Sequence, residues 1–361
     1  MEPLTPEEQE EITLELFKDE GKYVAFFQLY SNILHLSSLF RAEPYAKADL
    51  THRQVKTVMS LLKDDFRSTR TNLTDKAHQV LGGRLATSNV AKLVSVGVQA
   101  TIMLDPDAKN RHAHHFGMGT YRPTDWLPNE TLLEFVDRSF DRTHETSPAR
   151  MELVLQDKAA LKAWKLQSRL GIEFHLTNNL AEHLLYDRHG NSLYLFHQIA
   201  FLKAQLRIAK DQSLEYTSGP AASFEKGVLP PQLLAETLHS FQDIIFPTMD
   251  RNSALILDRL ISRCDFDSEG SQYDGYMLSL PNDFKYDYWG ERIVLLYDLL
   301  EQRPPRNRLE RWFKWQSTDA NALFIALVAL LISVIVGIIS ICLSGVQIWI
   351  GWMAWKHPTS S

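Results

Sequence analysis

The stretch ALFIALVALLISVIVGIISICLSGVQIWIGWMAW, Ala322 to Trp355, decides the architecture of this 361-residue chain. Between Asp319 and Lys356 there is no Asp, Glu, Lys, Arg or His across 36 positions. As an α-helix rising about 1.5 Å per residue, the stretch reaches roughly 50 Å, against a hydrocarbon layer of about 30 Å. Two antiparallel crossings need about 40 residues plus a turn. The pattern therefore predicts one transmembrane helix, centred on Ala322–Leu343. Trp349, Trp352 and Trp355 suit the far interface, where amphipathic rings settle at headgroup depth.

Small and polar residues recur inside this stretch at Ala326, Leu330, Ser333, Gly337, Ser340, Ser344, Gln347 and Gly351, spaced 4, 3, 4, 3, 4, 3, 4. A heptad seam of this kind lies on one stripe of a gently supercoiled helix. Small side chains let two backbones approach in lipid, and Ser or Gln can hydrogen-bond across the contact. Ser333, Gly337, Ser340, Ser344 and Gln347 are thus expected to associate the helix with a second copy or with another spanning helix. A polar pore would need a charge ring or a filter-like sequence, and neither is present.

The flanks set the expected topology. Upstream stand Arg303, Arg306, Arg308, Arg311 and Lys314, with Glu310 the only acid among them, a collar of net charge +4. Downstream, only Lys356 precedes Ser361. A strongly positive flank stays on the cytoplasmic side, which places the body in the cytosol. The acidic start (Glu2, Glu7, Glu8, Glu10, Glu11) carries no positive n-region and apolar core of a secretory signal, in agreement. The expected organisation is a cytosolic helical domain over 1–302, a basic linker over 303–318, an anchor over 319–356 and a short tail over 357–361. A long, very apolar span fits endomembranes or the plasma membrane better than mitochondria. The sequons at Asn72 and Asn129 then serve as helix caps rather than glycan sites.

Charge divides along the same lines. The whole chain carries 38 Lys+Arg and 44 Asp+Glu; the first 302 residues hold 32 basic and 42 acidic groups, a net of −10. Such a body repels nucleic acid, while the collar attracts lipid headgroups. Hydrophobic content of 45% with only 16 Gly and 15 Pro excludes a disordered or collagen-like chain, and two cysteines exclude a disulfide framework.

Along the body, Thr5-Pro6-Glu7-Glu8 opens a helix with a capping-box pattern. Apolar residues from Tyr23 to Phe40 recur at helical spacing, and Thr51 opens a helix that ends near Arg67. Gly82-Gly83 precedes an apolar, β-branched run from Val90 to Leu104, followed by a turn-rich loop over 105–128. Helices are expected at Glu130–Arg142, Asp157–Arg169, Leu193–Lys210, Pro231–Ile245, Asn252–Cys264 and Tyr286–Gln302, with a short strand at Gly171–Leu176. The fold class is therefore mainly α: a single helical domain with a minor strand element, followed by one C-terminal transmembrane helix. Ser213–Gly227 is the only candidate internal boundary.

The segments Leu161-Lys-Ala-Trp164-Lys-Leu166 and Gly171-Ile-Glu-Phe-His175-Leu-Thr-Asn178-Asn-Leu-Ala-Glu182-His183-Leu184, then Leu193-Tyr-Leu-Phe196, Tyr288-Trp289 with Arg292–Leu296, and Arg311-Trp312-Phe313, occur in an order that resembles a large filamentous-fungal family. The resemblance covers roughly residues 90–355. It implies an uncharacterised protein with a helical soluble domain and a single C-terminal transmembrane helix. It assigns no activity, and no site residue can be carried over from it.

Candidate chemistry is sparse. His112, His114 and His115 offer imidazoles to a metal, but no carboxylate or cysteine stands at ligand spacing beside them, and a solvated loop is the simpler reading. Asp265-Phe-Asp267-Ser-Glu269-Gly270 imitates the start of a calcium loop, yet its twelfth position is Tyr276 where a bidentate Glu is needed. An acidic surface turn is expected instead. His175, Glu182, His183 and His197 could form an acid–base cluster, but neighbours 182 and 183 diverge on a helix, so a packed histidine is favoured. Nucleophile-elbow, P-loop, dinucleotide and His-Glu-x-x-His motifs are all absent. The sequence thus implies no cofactor and no catalytic residue. It points to an interaction or scaffold protein, with unknown protein partners, on the cytosolic face of a membrane. The alternative is a membrane-tethered enzyme that uses the His-bearing loops.

Overall fold

The computed structural model describes residues 4–39, 51–83, 85–111, 121–140, 147–273, 280–281, 284–302 and 322–356. His112, His114 and His115, and the collar Arg303, Arg306, Arg308, Arg311 and Lys314, lie outside the described residues. Two compact units emerge, Met1–Glu301 and Gln302–Ser361.

The first unit is built mainly of helices. α1 (Pro6–Phe17), α2 (Val24–Leu39), α3 (His52–Asp64), α4 (Arg70–Val80) and α5 (Thr87–Ile102) form its N-terminal part. Short α6 (Ala108–Arg111), α7 (Leu132–Ser139), α8 (Pro148–Gln156) and α9 (Ala163–Lys165) follow. After the sheet come α10 (Ile199–Asp211), α11 (Pro220–Glu225), α12 (Pro231–His239), α13 (Arg251–Cys264) and α14 (Gly290–Gln302).

Threonine caps start several of these helices. The Thr5 hydroxyl accepts the Glu8 N–H at 3.2 Å while the Glu8 carboxylate accepts the Thr5 N–H at 3.0 Å. Thr51 and Gln54 repeat the device on α3, and Thr131 and Glu134 on α7. Each box satisfies two backbone donors that the helix itself leaves orphaned. Neither sequon asparagine does this work: Thr131, not Asn129, caps α7, and Thr69 caps α4, in whose first turn Asn72 stands.

The β-branched run after Gly82-Gly83 folds as α5, which is buried almost all round from Leu93 to Ile102. α3 and α4 pack on it. Gly97 sets how close α3 comes: a Cβ there would lie 2.9 Å from Val58 Cγ1 and 3.0 Å from Leu62 Cδ1. Burial on all sides explains why β-branched residues tolerate helix here, since tertiary packing outweighs a propensity difference of less than about 1 kcal/mol per residue.

Three short strands, β1 (Glu173–Thr177), β2 (Leu185–Asp187) and β3 (Ser192–Phe196), form one sheet in the order β1-β3-β2. β1 runs parallel to β3 in the register Thr177↔Phe196, and β2 runs antiparallel to it. The expected strand over 171–176 is therefore present, shifted by two residues at its start. The expected helix over Leu193–Lys210 is corrected: its first turn is β3, and helix begins only at Ile199. β3 is the central strand and buries Leu193, Leu195 and Phe196 completely. A strand buried on both faces shows no alternation and reads like a buried helix.

Asp157–Arg169 is also corrected. It breaks into a 3₁₀ turn at Lys158–Leu161, α9, and a π-turn at Leu166–Leu170 that Gly171 closes at φ 71°. A second π-turn, Ser240–Ile245, extends α12 to the end anticipated for it. Asp265–Gly270 is not wholly a surface feature. Asp267 is buried, accepts the Ala200 N–H at 2.7 Å, and so caps the first turn of α10. Residues 213–227 fall within the first unit, with Phe224 of α11 stacked on Phe66.

The second unit contains α15 (Ala322–Lys356), a continuous helix of 35 residues. Its Val328–Met353 portion is long and apolar enough to cross a membrane.

Candidate functional site

The blocks Gly171–Leu184, Leu193–Phe196 and Tyr288–Arg292 converge in space around His183. This imidazole is fully buried, and its Nδ1 accepts the Phe196 N–H at 3.2 Å. A backbone N–H can only donate, so the ring's proton sits on Nε2, 2.8 Å from Ser240 Oγ, which passes its own hydrogen to Thr237 O. Burial, reinforced by the nearby Arg292 charge, holds His183 well below the usual histidine range. Trp289 meets the ring edge-on at 5.4 Å and donates Nε1–H to Thr237 Oγ1. The Arg292 guanidinium lies 4.9 Å above Trp289 and donates to Ala181 O. Glu182 serves a different network, accepting from Thr177 Oγ1, Asn179 Nδ2 and Tyr121 OH. His183 and Glu182 therefore do not face one ligand. The convergence cements sheet to α14.

A second buried polar feature holds the approach to α14. Glu236 has no exposed surface and accepts three consecutive backbone N–H groups, of Asp287 at 2.6 Å, Tyr288 at 2.9 Å and Trp289 at 3.0 Å, together with Gln232 Nε2. Burial pushes its carboxyl up to about 7 against the pull of these donors.

The π-turn after α12 assembles a third group. His239 Nε2 lies 3.0 Å from Asp243 Oδ2, and its Nδ1 bonds the Tyr286 hydroxyl. Lys158 bonds the same aspartate. The hydrogen bond from His239, then that from Lys158, hold Asp243 down at about 2. Phe284 packs against both His239 and Tyr286. The arrangement couples a phenol to a carboxylate through an imidazole, and it tethers the 284–286 segment to α12.

A cavity of about 1000 Å³ lies where the parallel strands end. α1 and α2 supply most of its wall, and its floor is Leu176, Asn178, His197 and Gln198. Asn178 follows β1 directly, while His197 and Gln198 follow β3 and lead into α10. The His197 ring is buried, and burial pushes it down to about 4, so it is neutral. Its Nδ1 accepts the Asp267 N–H at 3.2 Å, and its Nε2 bonds Asn178 Oδ1 at 2.9 Å. Gln198 Nε2 donates to that same oxygen at 2.7 Å and to Ala25 O at 3.2 Å.

The other anticipated features fall as follows. His175 is exposed on β1, apart from His183 and His197. Ser333, Gly337, Ser340, Ser344 and Gln347 lie on the uninterrupted α15, where side chains three and four apart share a stripe, and a Cβ added at Gly337 would meet nothing within 4 Å. Among the described residues no group of three or more His, Cys, Asp or Glu could hold a metal ion. Neither the Glu236 clasp nor the Asn178–His197–Gln198 relay was anticipated. No family model matches the chain, and neither the curated proteins nor the solved structures contain a match to it.

Proposed function

We propose that the chain is a single-pass membrane protein, anchored near its C-terminus by α15, whose helical body acts in the cytosol as an interaction or scaffold module. One observation carries this reading: α15 presents 34 residues with no charge before Lys356, and its apolar side chains over Val328–Met353 are exposed, Leu330 at 67% and Ile341 at 74%. Water exposure of such a surface costs about 25 cal/mol per Å², which a lipid environment removes. The Arg303–Lys314 collar supports a cytosolic body through the retention of positive flanks. The net charge of the first 302 residues argues against nucleic acid as a partner. An endomembrane or the plasma membrane is the proposed site.

Alkaline carbonate extraction of native membranes, with glycosylation tags at both ends, tests the reading. The full chain should stay in the pellet with only the C-terminal tag modified. Protein in the supernatant, or a modified N-terminal tag, would overturn anchor or orientation respectively. The seam is tested apart from both: Gly337→Leu should weaken a membrane self-association signal about tenfold, the equivalent of about 1.4 kcal/mol. An unchanged signal removes the seam from the proposal.

A further inference from the structure

The cavity at the ends of β1 and β3 has a polar floor whose hydrogen-bonding sense is fixed by one backbone group. The Asp267 N–H is an obligate donor, so His197 Nδ1 must accept it and the neutral ring carries its proton on Nε2. That proton has to meet an acceptor, which orients the Asn178 amide with Oδ1 toward the ring. Gln198 donates through Nε2 to the same oxygen and to Ala25 O; turned over, it would set its own oxygen against two others. Asn178 Nδ2, a donor, and Gln198 Oε1, an acceptor, are left over; Asn178 is half-buried, and neither atom is among the fully enclosed side-chain atoms that lack a hydrogen bond. Both residues line the cavity. Both atoms are accessible rather than sealed in the core, so together they present a pre-set donor and acceptor at the cavity that a ligand can complete.

The walls narrow the chemistry. Leu176, Val24 and Phe27 give apolar surface. Among the described residues, Lys22 is the sole basic side chain against Glu10, Glu20 and Asp265, and no arginine lines the cavity. Phosphate and carboxylate ligands are recognised by clustered cations, so this site disfavours anions. A volume of about 1000 Å³ lies within the range of small-molecule sites. Its placement beyond the carboxyl ends of adjacent parallel strands is where sheets with helical cover commonly hold ligands.

We propose that this cavity binds a small neutral or cationic molecule through an amide-type edge, its carbonyl oxygen facing Asn178 and its N–H facing Gln198. The inference does not rest on the membrane reading. Nicotinamide, a neutral carboxamide, and nicotinate, its anionic isostere without the donor, are suitable probes for ligand-observed NMR on the full chain in detergent micelles. Nicotinamide should bind with a Kd at or below about 1 mM, and nicotinate at least about tenfold more weakly. Asn178→Asp keeps the oxygen that receives His197 and Gln198 but turns the outward donor into an acceptor, so nicotinamide binding should fall at least about tenfold. Ser31→Trp, at an exposed wall position away from the relay, should also reduce binding; it remains informative if Asn178→Asp lowers the unfolding temperature. No nicotinamide binding at 10-fold above that Kd, equal binding of nicotinate, or binding unaffected by both substitutions would each overturn the proposal.

Discussion

Glu236→Ala is expected to destabilise the helical body by about 3–5 kcal/mol in chemical unfolding of the micelle-bound chain. Tyr288 and Trp289 are buried, so at least two of the three N–H groups that Glu236 receives would find no water in its place. An orphaned buried donor costs about 1–3 kcal/mol, and relief of the buried carboxylate offsets only part of that. Glu236→Gln isolates the charge. Folded Glu236 titrates at about 7, against 4.5 for the unfolded group. Its favourable contribution is therefore complete below about pH 4.5 and lost as pH rises through 7, an amplitude of about 3 kcal/mol. His183 and His197 act in the opposite sense. Both are held neutral by burial, so their contribution exists above 6.5 and is lost as pH falls toward their folded values. The difference between wild-type and Glu236→Gln stability across pH 4.5–7 removes the histidines from the comparison. A flat difference would mean that Glu236 stays ionised throughout, its three backbone donors outweighing its burial.

Arginine at Val334, Ile338 and Ile341 together should release the chain into the soluble fraction. Fifteen Leu, Ile, Val and Phe residues between Ala322 and Leu343 each favour insertion by about 0.3–0.6 kcal/mol, together roughly 5–9. Each mid-span arginine costs about 2.5–3.5 kcal/mol and also removes one favourable residue, so three outweigh the whole sum. Sliding the helix brings no escape, because every 20-residue window within α15 retains at least two of the three. Arginine at Ile338 alone should leave the anchor in place. Full membrane retention of the triple variant would show that α15 is held by something other than its own apolarity.

What the sequence revealed follows the range of each signal. The capping box at Thr5 acts over three residues, and the apolar periods of α12, α13 and α14 act over single turns; both were readable from the residues, whereas the α7 cap, read at Asn129, sits two residues later at Thr131. β3 was read as helix because Leu193, Leu195 and Phe196 are all buried and erase the alternation that marks a half-exposed strand. Asp157–Arg169 was read as one helix because nothing in its composition marks the π-turn that Gly171 ends. Asp267 looked like a surface acid because its role depends on Ala200, 67 residues away. The cavity floor was hidden for the same reason. Asn178, His197 and Asp267 become neighbours only when β1 and β3 pair and α10 docks on the turn at Ser268–Ser271. Glu236 carried no pattern at all, since its partners are backbone groups 51 to 53 residues on.

With α15 spanning a bilayer as proposed, its length has a consequence for the lipid around it. Thirty-five residues make a rod of about 52 Å. To sink all of it in a hydrocarbon slab of about 30 Å would need an inclination of roughly 55°, beyond the 0–40° that spanning helices adopt. At 40° the slab admits about 26 residues, and the other nine or so must lie among headgroups, a depth at which Trp349 and Trp352 are at home. A thicker leaflet pair would swallow more of the rod and stand it upright, while a thin one would have to bulge or lean it over. Under the proposed anchoring, a helix of this length matches a thick bilayer more closely than a thin one.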